Sequence, residues 1–318
     1  MTAAFPAALP VGAALWHRVG RAVMDVILHL GAHRTATTTF QHYMRDHVDK
    51  LAAQGVGFWG RGRTRGKIFA GLFRHTIAPD AHKAARRAQG RVALQAAQAE
   101  QRGVRRLVVS DENIIGTPRH NFKSERLYPA VGERTARLVA AFEGRVSRIV
   151  LSIRSHELWW ASAAALTVAR GHPVPDKAQL AAIAADGRSW RDVITDLACA
   201  APEAEIHVIP FERFAGMSER ILATALDGAA PRDMQRRWLN RSADLCRLRK
   251  GLREQGQDPD LLPDMTGRWQ PFDEMQAAAL RENYADDLFW LSAGADGLAK
   301  LTEDEHQTER SGLRHQVR

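Results

Sequence analysis

Apolar residues along the chain gather in five short runs separated by longer amphipathic stretches. Val26–Leu30, Val56–Trp59, Val104–Ser110, Arg148–Ile153 and Ile206–Pro210 read as strands, being short, β-branched and bounded by polar or turn residues. Between and around them, Thr39–Gln54, Ala81–Arg102, Thr135–Glu143, Glu157–Arg170 and Trp190–Cys199 place apolar residues three and four apart, which predicts helices. Strands alternating with helices predict an α/β protein, a parallel sheet with helices on both faces, followed by a helical C-terminal region. The pattern divides the chain into a loose arm at 1–24, one α/β domain at 25–300 and a charged mobile tail at 301–318. No internal repeat is present.

The first strand leads into the most informative stretch, Val26 to Met44, VILHLGAHRTATTTFQHYM. Gly31 permits a sharp exit from the strand. Thr35, Thr37, Thr38 and Thr39 lie where the next helix begins, and Phe40, Tyr43 and Met44 recur at helical spacing. A helix N-terminus carries unpaired N–H groups and partial positive charge, so hydroxyls and the cation Arg34 at that place form a cradle for phosphate or sulfate. The plain alternative is a Thr-capped helix after a strand. The nucleoside triphosphate loop G-x-x-x-x-G-K-[ST] is not matched, because the second glycine and the lysine are missing.

Two later strands end in groups that suit such a site. Arg154 and Ser155 follow Ile149–Ile153, which presents a guanidinium at the carboxyl edge of a parallel sheet, where α/β proteins bind ligands. Ser162 lies eight residues beyond Arg154 on the following helix. The Leu107–Val109 strand exits through Ser110, Asp111 and Glu112. Glu112 is a candidate base or, equally, a helix-capping acid beside Asp111. His33 is the best placed of three rival bases, with His29 and His47.

Taken together, these segments resemble the bacterial sulfotransferases that use 3′-phosphoadenosine 5′-phosphosulfate (PAPS). Their first strand and turn are similar to H-x-G-x-x-K-T-G-T-T-x-x-Q; this chain has His29, Gly31, Arg34, Thr35, Ala36, Thr37, Thr38 and Gln41 in that register. Arginine replaces the usual lysine and alanine the usual glycine. The resemblance implies a fold related to P-loop kinases, with Arg34, Thr35, Ala36, Thr37, Thr38 and Thr39 around the 5′-phosphosulfate. It places Arg154 and Ser162 on the 3′-phosphate, Glu112 or His33 on the acceptor's proton, and calls for no metal. Arg34 would bind oxyanions through its planar fork but would be a poor proton donor to the leaving oxygen. The likeness is good from Asp25 to Val168 and thin from there to Leu298. In the thin part, Asn240-Arg241-Ser242 and Tyr284–Leu288 are similar to late family segments. Arg249-Lys250-Gly251 is similar to an R-K-G that closes over the 3′-phosphate.

Composition narrows the partners. The net charge is +9, which suits an anionic ligand. No zinc-finger spacing, aromatic–basic RNA motif or long basic helix points to nucleic acid. Two cysteines, Cys199 and Cys246, form no disulfide framework, and no apolar run reaches the length of a bilayer span. The first 24 residues lack the order of a secretory signal. These features predict a cytoplasmic protein without a transmembrane segment. The acceptor is not legible; a carbohydrate or lipid-linked glycan is favoured, with Arg61–Lys67 and Pro118–Tyr128 as basic and aromatic rims. The alternatives are a catalytically silent nucleotide- or anion-binding protein on the same fold, and a small-molecule kinase.

Overall fold

Alternate residues of the central strands belong to two separate cores, and this parity builds the molecule. The computed structural model describes residues 24–74, 80–234 and 237–303. The expected arm and tail therefore fall outside the described residues, except for Met24 and 301–303. Six parallel strands form one sheet: β1 (Asp25–His29), β2 (Val56–Gly60), β3 (Arg106–Ser110), β4 (Val146–Ile153), β5 (Glu205–Pro210) and β6 (Lys300–Leu301). Their order is β2-β3-β1-β4-β5-β6. The first five lie within two residues of the positions the apolar runs predict. The sixth has only two residues, too few to leave a period, and it brings Leu301 into the sheet beside Val208.

Val26, Leu28, Leu107, Val109, Ile149 and Leu151 face one way, into the larger core. That core is covered by the helices Ala81–Gln101, Val131–Ala141, His156–Val168, Trp190–Ala200 and Glu274–Ser292. Ile27, Val108, Val150 and Ile209 face the other way. There they meet Phe40, Tyr43 and Met44 of the Thr37–Asp46 helix and Ile221, Leu222 and Ala225 of the Ser218–Leu226 helix. Successive strand side chains point to opposite faces, so a sheet buried on both sides reads as unbroken apolar runs. The single helix predicted over Thr39–Gln54 is two, Thr37–Asp46 and Val48–Ala53, because His47 leaves helical geometry (φ −113°, ψ 15°).

The strand order fixes where a ligand fits. From β1 the chain crosses to β2 on one side, and from β4 to β5 on the other. Neighbouring strands whose connections diverge leave a crevice at their carboxyl ends. The turn after β1 and the Arg154 segment after β4 flank that crevice.

A buried carboxylate anchors the far wall. Asp287, on the Glu274–Ser292 helix, accepts from Ser189 Oγ (2.5 Å), Trp190 N (3.0 Å) and Arg191 N (3.1 Å), and its Oδ2 lies 2.8 Å from His156 Nε2. Trp190 Nε1 in turn donates to the Arg154 carbonyl (2.7 Å), and Tyr284, one turn before Asp287, donates to Glu212, which accepts from Ser155 N. The C-terminal helix thus holds the exit of β4 through two routes. Asp287→Ala leaves several buried donors without an acceptor. It should lower stability by about 3 kcal/mol, measured by urea unfolding, whereas Asp287→Asn should cost less.

Candidate functional site

The turn after β1 continues along the β4 edge: Leu30 N–H donates to Val150 and Ala32 N–H to Ser152. It then closes on itself. Thr35 Oγ1 donates to the Ala32 carbonyl (2.7 Å) and accepts from Ala32 N (3.2 Å), and Thr37 Oγ1 donates to the same carbonyl (3.3 Å). Three residues of this short turn have left-handed backbone, Gly31 (φ 46°), Arg34 (φ 67°) and Ala36 (φ 63°). Glycine adopts that geometry freely; arginine and alanine do so at a cost of about 1 kcal/mol each. Ala36 is also the N-cap of the Thr37–Asp46 helix and offers no capping side chain, so its first-turn N–H groups gain no partner there.

Arg34 reaches across the crevice. Its Nε donates to Ser162 Oγ (2.8 Å), and its Nη2 donates to Ser242 Oγ (2.9 Å) and the Asn240 carbonyl (2.9 Å). Ser162 and Ser242 are themselves 2.6 Å apart. Arg154 Nη1 donates to the Arg34 carbonyl (3.1 Å), and its guanidinium lies 4.9 Å from the centre of the Phe211 ring. Its Nε is buried without a hydrogen-bond partner. No ion pair neutralises Arg34 or Arg154 among the described residues. Burial first, then the charges of Arg154, Arg170 and Arg268, pull Arg34 down to about 10. Burial and Arg268 also lower Arg154, with Glu212 opposing. An anion placed here would relieve the mutual repulsion of these cations and meet the orphaned Arg154 Nε–H.

The structure brings Arg34, Arg154 and Ser162 into one cluster, in which Ser162 accepts from the Arg34 side chain and Arg154 donates to the Arg34 carbonyl. Thr35 and Thr37 turn their hydroxyls inward to brace the loop. Thr38 accepts from Asn240 Nδ2 (2.8 Å), and Thr39 from Leu239 N (3.3 Å). The Leu239–Ser242 segment therefore lies over the start of the helix.

Carboxylates flank the loop on the β3 side. Asp111 caps the turn at Asn113 (3.0 Å) and binds Arg65 (2.7 and 2.9 Å) and Thr64 (2.6 Å). Capping thus falls to Asp111. The side chain of Glu112 instead meets Arg65 Nη2 (2.9 Å) and Gln41 Nε2 (3.3 Å). Burial favours its neutral form, but His33 and Arg65 outweigh that and hold its carboxyl below the usual range. His33 is itself neutral at neutral pH, so the permanent charge of Arg65 keeps Glu112 ionised there.

His33 is a wall, not an open base. Its Nε2 lies 2.9 Å from Asn113 Oδ1, which fixes the proton on that nitrogen. Its Nδ1 then accepts from Tyr128 Oη (2.8 Å), which accepts from His33 N–H (3.0 Å). Burial lowers His33 to about 4. His29 is likewise buried at about 4 against Ser110 Oγ (2.8 Å), and His47 sits on the Tyr43 carbonyl at the far end of the helix. Arg249 of Arg249-Lys250-Gly251 does not approach the cluster. It is buried on the Pro259 and Leu262 carbonyls and on Asp260, where it ties its helix to the next turn.

Asn113 is not legible as a site residue, and Arg65 and Tyr128 are legible only as members of the basic and aromatic rims Arg61–Lys67 and Pro118–Tyr128. Arg65 and Asp111 are 46 positions apart, and no local period marks such a pair. Among the described residues no cluster of His, Cys, Asp and Glu is arranged to hold a metal, and no helix is long and apolar enough to cross a membrane. Fold and geometry define an α/β protein with a cationic crevice at the switch between β1 and β4 and an ionised carboxylate beside it. No family model, curated protein or solved structure matches the chain.

Two expectations follow. A Cβ at Gly31 would overlap Thr37 Oγ1 in a left-handed backbone, so Gly31→Ala should destabilise the fold, whereas Ala36→Gly should be neutral or stabilising by up to about 1 kcal/mol in thermal unfolding. The histidines make the fold acid-labile. Buried neutral rings bind fewer protons than in the unfolded chain, so their stability contribution is intact above pH 6.5 and declines down to about pH 4. The loss is on the order of 3 kcal/mol per ring. Urea midpoints across that window should fall steeply, and His33→Gln should flatten the slope.

Proposed function

We propose that this chain is a cytoplasmic PAPS-dependent sulfotransferase. The observation that carries this reading is the Arg34–Arg154 pair. Two partly desolvated guanidiniums lie beside Ser162 and a helix N-terminus, at the switch point of the sheet, with no ion pair to either among the described residues. The motif register supports it too, because Ala36, where the resembled family has glycine, has the positive φ that glycine accommodates best.

In this reading Arg34 and the first-turn N–H groups hold the 5′-phosphosulfate, and Arg154 with Ser162 holds the 3′-phosphate. Glu112, ionised beside Arg65, takes the proton of an acceptor hydroxyl or amine. The acceptor atom then bonds to sulfur as the bond from sulfur to the bridging oxygen breaks, and the electron pair leaves on adenosine 3′,5′-bisphosphate. The residues act by alignment and by stabilising charge on the leaving phosphate. Arg34 supplies charge rather than a proton.

One observation favours a second reading, a nucleotide binder without transfer: Arg34 is already engaged by Ser162, Ser242 and Asn240. Transfer of labelled sulfate from PAPS to carbohydrate, phenol and lipid acceptors separates the two. A transferase should lose most activity in Arg34→Ala and keep it in Arg34→Lys. A silent wild type with an active Arg34→Lys would establish the binder.

Calorimetry tests the ligand. Adenosine 3′,5′-bisphosphate should bind without magnesium and more tightly than ATP; tighter, magnesium-dependent ATP binding would replace this reading with a kinase. Arg154→Ala should weaken adenosine 3′,5′-bisphosphate by roughly tenfold or more, since bonds to charged groups contribute about 1.5–3 kcal/mol. Ser162→Ala should cost less, and adenosine 5′-phosphate should be nearly unaffected by either. Equal losses for both nucleotides would assign Arg154 to the 5′ group or to the fold.

A further inference from the structure

The charge of this protein is concentrated in one place. Between Arg61 and Arg91 lie nine Lys or Arg residues and a single acid, Asp80, nearly enough to account for the whole net charge of +9. Described parts of the segment also lie against one another. Arg63 donates to Gln95, Arg91 donates to the Ile68 and Ala70 carbonyls, and Gly71 packs against Ala84, which lays the residues after β2 along the Ala81–Gln101 helix. That helix has no acidic residue before Glu100. Its first turns expose His82, Lys83, Arg86 and Arg87 side by side. These four, with Arg61 and Lys67, are exposed and have no ion-pair partner among the described residues.

One residue of the segment reaches the candidate site. Arg65, of the same segment, is the residue that pairs with Glu112. We propose that the Arg61–Arg91 face binds an acidic polysaccharide, and that this polymer is the acceptor whose hydroxyl is delivered to Glu112; the acceptor role rests on the sulfotransferase reading, the binding does not. A row of cations with a single acid among them, Asp80 paired with Arg74, fits a partner with repeated negative charge.

The features that would suit other polyanions are missing from the described part of this face. Single-stranded nucleic acid is held by aromatic stacking. Here Phe69 is buried, and Phe73 is only partly exposed with Arg134 4.3 Å from its ring centre. Membrane-surface helices insert several large apolar side chains, whereas Leu94 is the one large apolar residue that the Ala81–Gln101 helix exposes among the described residues.

The test measures binding of the full chain to hyaluronate, to duplex DNA and to vesicles of equal parts phosphatidylserine and phosphatidylcholine, at matched anionic charge and several salt concentrations. Hyaluronate should bind most tightly and weaken as salt rises. Lys83→Gln/Arg86→Gln/Arg87→Gln should reduce hyaluronate affinity by about tenfold or more. The control Arg247→Gln/Lys250→Gln/Arg253→Gln, which removes equal charge from another exposed helix, should change it by less than about twofold. Adenosine 3′,5′-bisphosphate binding, unchanged in the first variant, shows that the fold and the nucleotide site are intact. Tighter binding of DNA or vesicles than of hyaluronate overturns the proposal, as does equal loss in both triple variants or no loss in the first. Loss of hyaluronate binding is thereby distinguished from failure of the nucleotide reading, which adenosine 3′,5′-bisphosphate tests alone.

Discussion

Arg34 and Arg154 repel each other, yet the fold holds them within one half-buried crevice. Arg154 donates to the backbone carbonyl of Arg34, so the second cation is fastened to the residue that carries the first. Neutral oxygens of Ser162, Ser242 and Asn240 screen Arg34 without cancelling its charge. The rest of the molecule can be understood as the support this arrangement requires. A pair of desolvated like charges persists only where the surroundings fix both positions and an anion is available to join them.

Backbone geometry supplies one part of that support. Arg34 and Ala36 are held left-handed by the hydroxyls of Thr35 and Thr37, which replace the hydrogen bonds a regular strand or helix would offer. Such strain persists where the surroundings overdetermine it. His33, immediately before the first strained residue, is wedged against Tyr128 and Asn113 and joins the loop to the exit of β3.

The far wall supplies the other part. Arg154 follows β4, and its carbonyl is gripped by Trp190, whose own N–H is bound by Asp287 from the last helix. Tyr284 reaches the adjacent Ser155 through Glu212. A helix more than a hundred residues later in the chain therefore sets the position of the second cation. The acidic side is built in the same way, with Arg65 fixing both Asp111 and Glu112.

The sequence alone determined the elements whose cause is local. Apolar runs located five strands, because both faces of a buried strand are apolar and a run of that kind needs no partner to be recognised. The turn after β1 was legible because glycine, hydroxyls and a cation at a helix start carry their chemistry in order along the chain. Local pattern fits Glu112 equally as base or cap, and only the tertiary structure gives the cap to Asp111 and the pair with Arg65 to Glu112. Ser162 joined Arg34, Arg249 was taken up by carbonyls near its own helix, and His33 closed both ring nitrogens on neighbours. Most of these outcomes depend on contacts between residues far apart in sequence. Periodicity and turn chemistry act over a few residues, whereas strand order and side-chain pairing are set by how the whole chain packs. The tertiary structure therefore decided which of the chain's many cations would face one another without an acid between them.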